Sequence, residues 1–125
     1  MPRSRRNVHT RGAIGSYSSA VVAGEFCFVS GQAALDEAGN KLFGGITEQT
    51  EATIENLRKV LGAAGYRLNE VVKVTCYLSD MADWSEMDRV FATFFRESPP
   101  ARATIEAELI YDCLVEMDCV AWKPG

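Results

Sequence analysis

Apolar residues recur along the chain with two spacings, and the changes between them predict where strands give way to helices. Val21 and Val22, then the run 26–30, flank Ala23-Gly24 and predict two short strands joined by a turn. Asp36, Gly39 and Asn40 mark a loop after them. From Thr47 the period lengthens. Ile54, Leu57, Leu61 and Ala64 fall on one helical face, Glu55 and Lys59 stand four apart as an ion pair, and Gly65 is placed to end the helix. Over 71–78, Val72, Val74, Cys76 and Leu78 alternate with Lys73, Thr75 and Tyr77, which predicts a strand with one buried face. Asp83 and Glu86 form a capping box for a second helix, whose apolar stripe is Trp84, Met87, Val90, Phe91 and Phe94; Pro99-Pro100 stops it. Two strands, 101–109 and 114–122, complete the order β-β-α-β-α-β-β. The pattern is that of an α+β domain, a mixed sheet with both helices on one face and the other face uncovered.

The last two strands say what that uncovered face carries. On the first, Ala103, Ile105, Ala107 and Leu109 form an apolar set, so alternation turns Arg102, Thr104, Glu106 and Glu108 the other way. On the second, Val115, Met117, Cys119 and Ala121 are apolar and leave Leu114, Glu116, Asp118 and Val120 opposite. An arginine and several carboxylates are thereby expected on one face with Tyr77. Such a face is either simply wet or packs on another subunit, where an arginine fork becomes a strong carboxylate clamp.

Composition narrows the chemistry. With 125 residues, 47% hydrophobic and 24% charged, the chain is expected to be one domain over 1–125, and a net charge of −4 argues against general affinity for nucleic acid. Arg3, Arg5, Arg6 and Arg11 gather around His9, the single histidine; residues 1–12 are expected to be a frayed basic arm. No apolar run spans a bilayer and no signal-peptide core precedes the domain, so no membrane partner and a cytoplasmic location are expected. Cys27, Cys76, Cys113 and Cys119 show no paired spacing and read as buried small hydrophobes; with one histidine, no metal site is expected.

Three stretches carry a resemblance: Ala13-Ile14-Gly15-Ser16-Tyr17, Phe28-Val29-Ser30-Gly31-Gln32, and Pro100-Ala101-Arg102-Ala103-Thr104 followed by Leu114-Val115-Glu116-Met117-Asp118. Asn56-Leu57, Ala63-Ala64-Gly65, Val71-Val72-Lys73-Val74-Thr75 and Phe94-Phe95 fit between them. In this order they resemble the Rid (YjgF-like) family of enamine and imine deaminases, from about Ala13 to Trp122. The resemblance implies a chorismate-mutase-like fold, a homotrimer formed through the open sheet face, and clefts between subunits. It also implies cofactor-free hydrolysis of 2-imino acids to 2-oxo acids and ammonia, with a small imino or oxo acid as ligand.

By that resemblance Arg102 clamps the substrate carboxylate, Glu116 orients or deprotonates the attacking water, Tyr17 closes the cleft, and Ser30, Gly31 and Thr104 contact the substrate. Thr104 stands where relatives often carry cysteine and Ser16 where they often carry proline. The loop 109–112 replaces a Leu-Pro-Lys-Asp type of segment, one residue shorter. Tyr111 or Trp122 could widen an aromatic pocket there, or serve the core or an edge. The alternatives are a deaminase of aminomuconate-type ring-cleavage products, a binder of 2-oxo acids or holdase without catalysis, and a ribonuclease, which the acidic balance and the lack of a histidine pair oppose.

Overall fold

A computed structural model describes residues 5–10 and 13–124. Its strands are β1 (Arg5–Val8), β2 (Ala20–Ala23), β3 (Phe26–Ala33), β4 (Val71–Leu78), β5 (Ala101–Glu106) and β6 (Val115–Trp122), with helices α1 (Ile46–Ala64) and α2 (Trp84–Phe94). The six strands form one sheet in the order β1-β2-β3-β6-β4-β5. Neighbours are antiparallel except β4 and β5, which run parallel because α2 carries the chain back between them.

The α+β architecture stands as read, with one strand more than expected. Residues 5–8 were expected to fray with the rest of the arm, but they pair with β2 along Arg5↔Ala23 to Val8↔Ala20. Arg6 is the reason in side-chain terms. Its Nη2 donates to the Ala64 carbonyl at 2.7 Å, where the last turn of α1 leaves oxygens without helical partners. Arg3 and Arg11 lie outside the described residues.

Helix α1 turns Ile54, Leu57 and Leu61 fully inward against β3 and β6, in the core that also holds Val29, Val115, Met117 and Cys119, and each such side chain contributes about 1.5–3 kcal/mol by leaving water. Gly65 ends the helix at φ +89°, a conformation that suits glycine. At α2 the expected capping box does not form. Asp80 instead caps a preceding 3₁₀ turn by accepting from Ala82 N at 2.9 Å, while Glu86 is held by Arg89. The face of β4 is also corrected. A bulge between Val71 and Lys73 buries Val71 and leaves Val72 exposed, so the strict alternation read from 72 holds only from Val74 onward.

The four cysteines are buried and free, and burial pushes the thiols of Cys76 and Cys119 up to about 12. Among the described residues no helix is long and apolar enough to cross a membrane. On the uncovered sheet face Phe26, Phe28 and Ile105 remain 42–49% exposed, beside Tyr77 and Val120.

Candidate active site

The site begins with a defect in β3. Val29 pairs with Cys119 and Gln32 with Met117, so Ser30 and Gly31 together oppose the single residue Asp118. This bulge re-aims the strand toward a cavity of about 670 Å³. Ser30 is pinned there, donating from Oγ to the Ser18 carbonyl at 2.7 Å while its N–H donates to Ser19 O at 2.9 Å. Gly31 has no side chain because Glu116 occupies that space: a methyl group built on it would overlap Glu116 Oε2. Gly31→Ala is therefore expected to fold, since only the end of a flexible side chain must shift. It is expected to lower turnover about tenfold by displacing the carboxylate, read as kcat beside an unchanged melting temperature.

Glu116 lies half-buried on the uncovered face of β6 and forms no ion pair with Arg102 or Lys73. Its carboxyl is held above the ordinary value, first by burial and second by the nearby charge of Asp118. Asp118 in turn accepts a hydrogen bond from the Tyr77 hydroxyl at 3.0 Å. Tyr17 stands at the mouth, 45% exposed, its ring lying close over Gly15 and its hydroxyl accepting from Ile14 N at 3.4 Å. Asn56 of α1 holds the exit of β3 by donating to the carbonyls of Ala33 and Leu35 at 2.8 and 2.9 Å. Of the unusual loop, Ile110 reaches the cavity wall, whereas Tyr111 does not. Trp122 turns away to donate to Glu25 Oε1 at 3.2 Å.

Tyr17, Ser30, Gly31 and Glu116 thus meet in one cavity; Arg102 and Thr104 do not join them. The expected face of these two is overturned. In the parallel pair Arg102 stands beside Val74 and Thr104 beside Cys76, both fully buried under the helices, so the register turns Arg102 and Thr104 to the helix side. Ala103 and Ile105 take the open face instead. An edge strand tolerates this, because a long cationic side chain can bury its stem and keep its head at the rim.

Arg102 is built into that rim. Its Nη1 meets Asp88 Oδ1 at 2.9 Å, and its guanidinium carbon lies 5.4 Å from the Trp84 ring centre and 4.7 Å from that of Phe91. Stacking and a fixed ion pair hold the fork with little freedom left to lose on binding. The sequence signal for this holder was an acidic residue inside the apolar stripe of α2: Trp84, Asp88 and Phe91 share one helical face. From Glu116 the arginine is two strands away, about 10 Å of sheet, and on the opposite face. One chain cannot close its Arg102 onto its own Glu116.

Among the described residues no group of three or more His, Cys, Asp or Glu side chains is placed to hold a metal ion. Comparison with known proteins adds the following. The family model described as Endoribonuclease L-PSP matches residues 8–123. A RutC family protein of Pyrococcus horikoshii is 46% identical over 112 residues, covering 88% of this chain and 89% of that protein. The mouse protein named 2-iminobutanoate/2-iminopropanoate deaminase is 39% identical over 111 residues, covering 87% and 82%. The crystal structure of yeast Mmf1 superposes with a TM-score of 0.91 at 30% identity, covering 97% of this chain and all of that one.

Proposed function

We infer that this chain, which belongs to the endoribonuclease L-PSP family of YjgF, RutC and Rid proteins, hydrolyses 2-imino acids and their enamine tautomers to 2-oxo acids and ammonia. The observation that carries this reading is Glu116, a carboxylate with a raised affinity for protons, set against the open backbone of Gly31 in a cavity that Tyr17 closes. That is the equipment for adding water to an already electrophilic carbon.

In the reaction, Glu116 takes a proton from water as the oxygen bonds to C2 of the iminium and passes it to the nitrogen. The C–N bond then breaks, ammonia leaves, and Glu116 takes the remaining hydroxyl proton as the carbonyl of the 2-oxo acid forms; that proton ends on the ammonia as ammonium. The substrate carboxylate is held by Arg102, supplied by a second copy of the chain, because Arg102 and Glu116 of one chain lie on opposite sheet faces. The exposed Phe26, Phe28 and Ile105 give the uncovered face its reason to pack on another copy, and a homotrimer is the assembly we propose. Ribonuclease chemistry finds less support. The net charge is −4, and His9, the single histidine, is outside the cavity lining.

The test generates 2-iminopropanoate and 2-iminobutanoate in situ with an amino-acid oxidase and follows ammonia and 2-oxo acid release. Hydrolysis faster than the uncatalysed rate is the expected result; equal rates with and without the protein overturn the reading. Sedimentation of the same preparation is expected to give the mass of three chains.

A further inference from the structure

The lining of the cavity that holds Glu116 carries a charge that water addition does not use. At the sequence level Lys59 pairs with Glu55 four residues before it, but in the structure Glu55 is taken by Arg58, whose Nη1 lies 2.6 Å from its Oε1. Lys59 has no ion pair or side-chain hydrogen bond among the described residues, and it lines the cavity beside Asn56 and Val60. Among the described residues it is the single cationic side chain of that lining. Three carboxylates share the wall. Asp36 is committed to its loop, accepting from Ala38 N at 2.9 Å and Asn40 N at 2.8 Å; Glu37 has a partner of its own; and Glu116 stands at the reacting end. A volume of about 670 Å³ lies within the usual range for ligands much larger than a three-carbon acid.

We propose that Lys59 forms a second anion site in the lining of this cavity, so that the preferred substrates are 2-imino acids bearing a distal carboxylate. The α-carboxylate goes to Arg102 of the neighbouring copy, C2 lies at Glu116, and the distal carboxylate reaches Lys59 along the wall formed by α1. The assignment rests on the deaminase reading for its chemistry, but the anion site itself is tested without turnover.

Two measurements test it on the intact protein, with Lys59→Gln and Lys59→Glu beside the wild type; the position is exposed on a helix, so both variants are expected to fold. In hydrolysis, Lys59→Gln is expected to raise KM for 2-iminoglutarate about fivefold, the weight of one partly exposed ion pair, and Lys59→Glu more. Both are expected to leave kcat/KM for 2-iminobutanoate unchanged. In calorimetry, 2-oxoglutarate is expected to bind the wild type more tightly than 2-oxobutanoate, and the difference to vanish in Lys59→Gln. Equal binding of the two oxo acids by the wild type, or equal weakening of both by the substitution, overturns the second site while leaving the deaminase reading intact. Lys59-dependent binding of 2-oxoglutarate by a wild type that hydrolyses no imine keeps the site and removes the deaminase.

Discussion

Arg102→Ala is expected to lower kcat/KM for 2-iminobutanoate by about 10²- to 10³-fold, the usual cost of removing one partner of a desolvated charge pair. Its melting temperature is expected to stay close to that of wild type, because the guanidinium sits at the rim of an edge strand and the Asp88 it leaves behind is already 43% exposed. The more telling experiment mixes this variant with Glu116→Gln after unfolding and refolding the two together. If each cleft takes Arg102 from one copy and Glu116 from the next, then in an equal mixture of two inactive proteins about one cleft in four regains both groups. A recovery of about a quarter of wild-type activity is the expected result. A mixture as inactive as its components would place both residues in the same subunit's site and overturn the shared cleft. The sheet register is what makes the outcome specific: β4 lies between β5 and β6, and the two side chains leave opposite faces.

Glu116→Gln is expected to cost about 10²- to 10⁴-fold in kcat, the range for loss of a positioned acid–base group. As a base Glu116 works deprotonated, so in the wild type the rate rises with pH through a midpoint above the ordinary carboxylate value near 4.3. Asp118→Asn removes the smaller of the two causes of the raised value. The acidic limb is then expected to move to lower pH without reaching the ordinary value, because burial remains. A limb that stays in place, or moves up, would exclude Asp118 as the charge that tunes Glu116. The same shift bears on stability. The folded chain holds this proton more tightly than the unfolded chain, so the ionised carboxylate costs stability once the pH exceeds its unfolded value, and protonation at lower pH relieves the cost. Glu116→Gln is therefore expected to melt at or above the wild-type temperature at neutral pH while losing its activity.

The parts of this molecule written in local periodicity were legible from the sequence. The stripe of α1, its end at Gly65 and the alternation along β6 follow from spacing alone, and they place Glu116 and Asp118 on the uncovered face. What depends on pairing between distant segments was not legible. Arg102 was turned to the wrong face because alternation gives two sets of residues but not which set is covered; the parallel register with Val74 and Cys76 decides that. Val72 was misplaced by a one-residue bulge, which leaves no mark in a pattern of valines. Arg5–Val8 reads as a polar arm until the Ala64 carbonyl is seen waiting for Arg6. Lys59 was spoken for by Glu55 on a helical wheel, and only the competing Arg58 releases it to the cavity.

The strand order also bears on how the chain is made. Among the described residues β6, between β3 and β4, supplies the only ladder that joins the two halves of the sheet, yet it is made after the other five strands. Until residues 115–122 emerge, Cys27 and Val29 on one side and Val74 and Cys76 on the other have no shared neighbour, and α1 has half of its floor. Between the completion of β5 at Glu106 and the making of β6, the nascent chain therefore carries two unjoined β ribbons with apolar faces, a state that invites chaperones and mispairing. The native sheet closes only once β6 is made, and a ribosome that stops short of Val115 releases a polypeptide whose sheet lacks its joining strand.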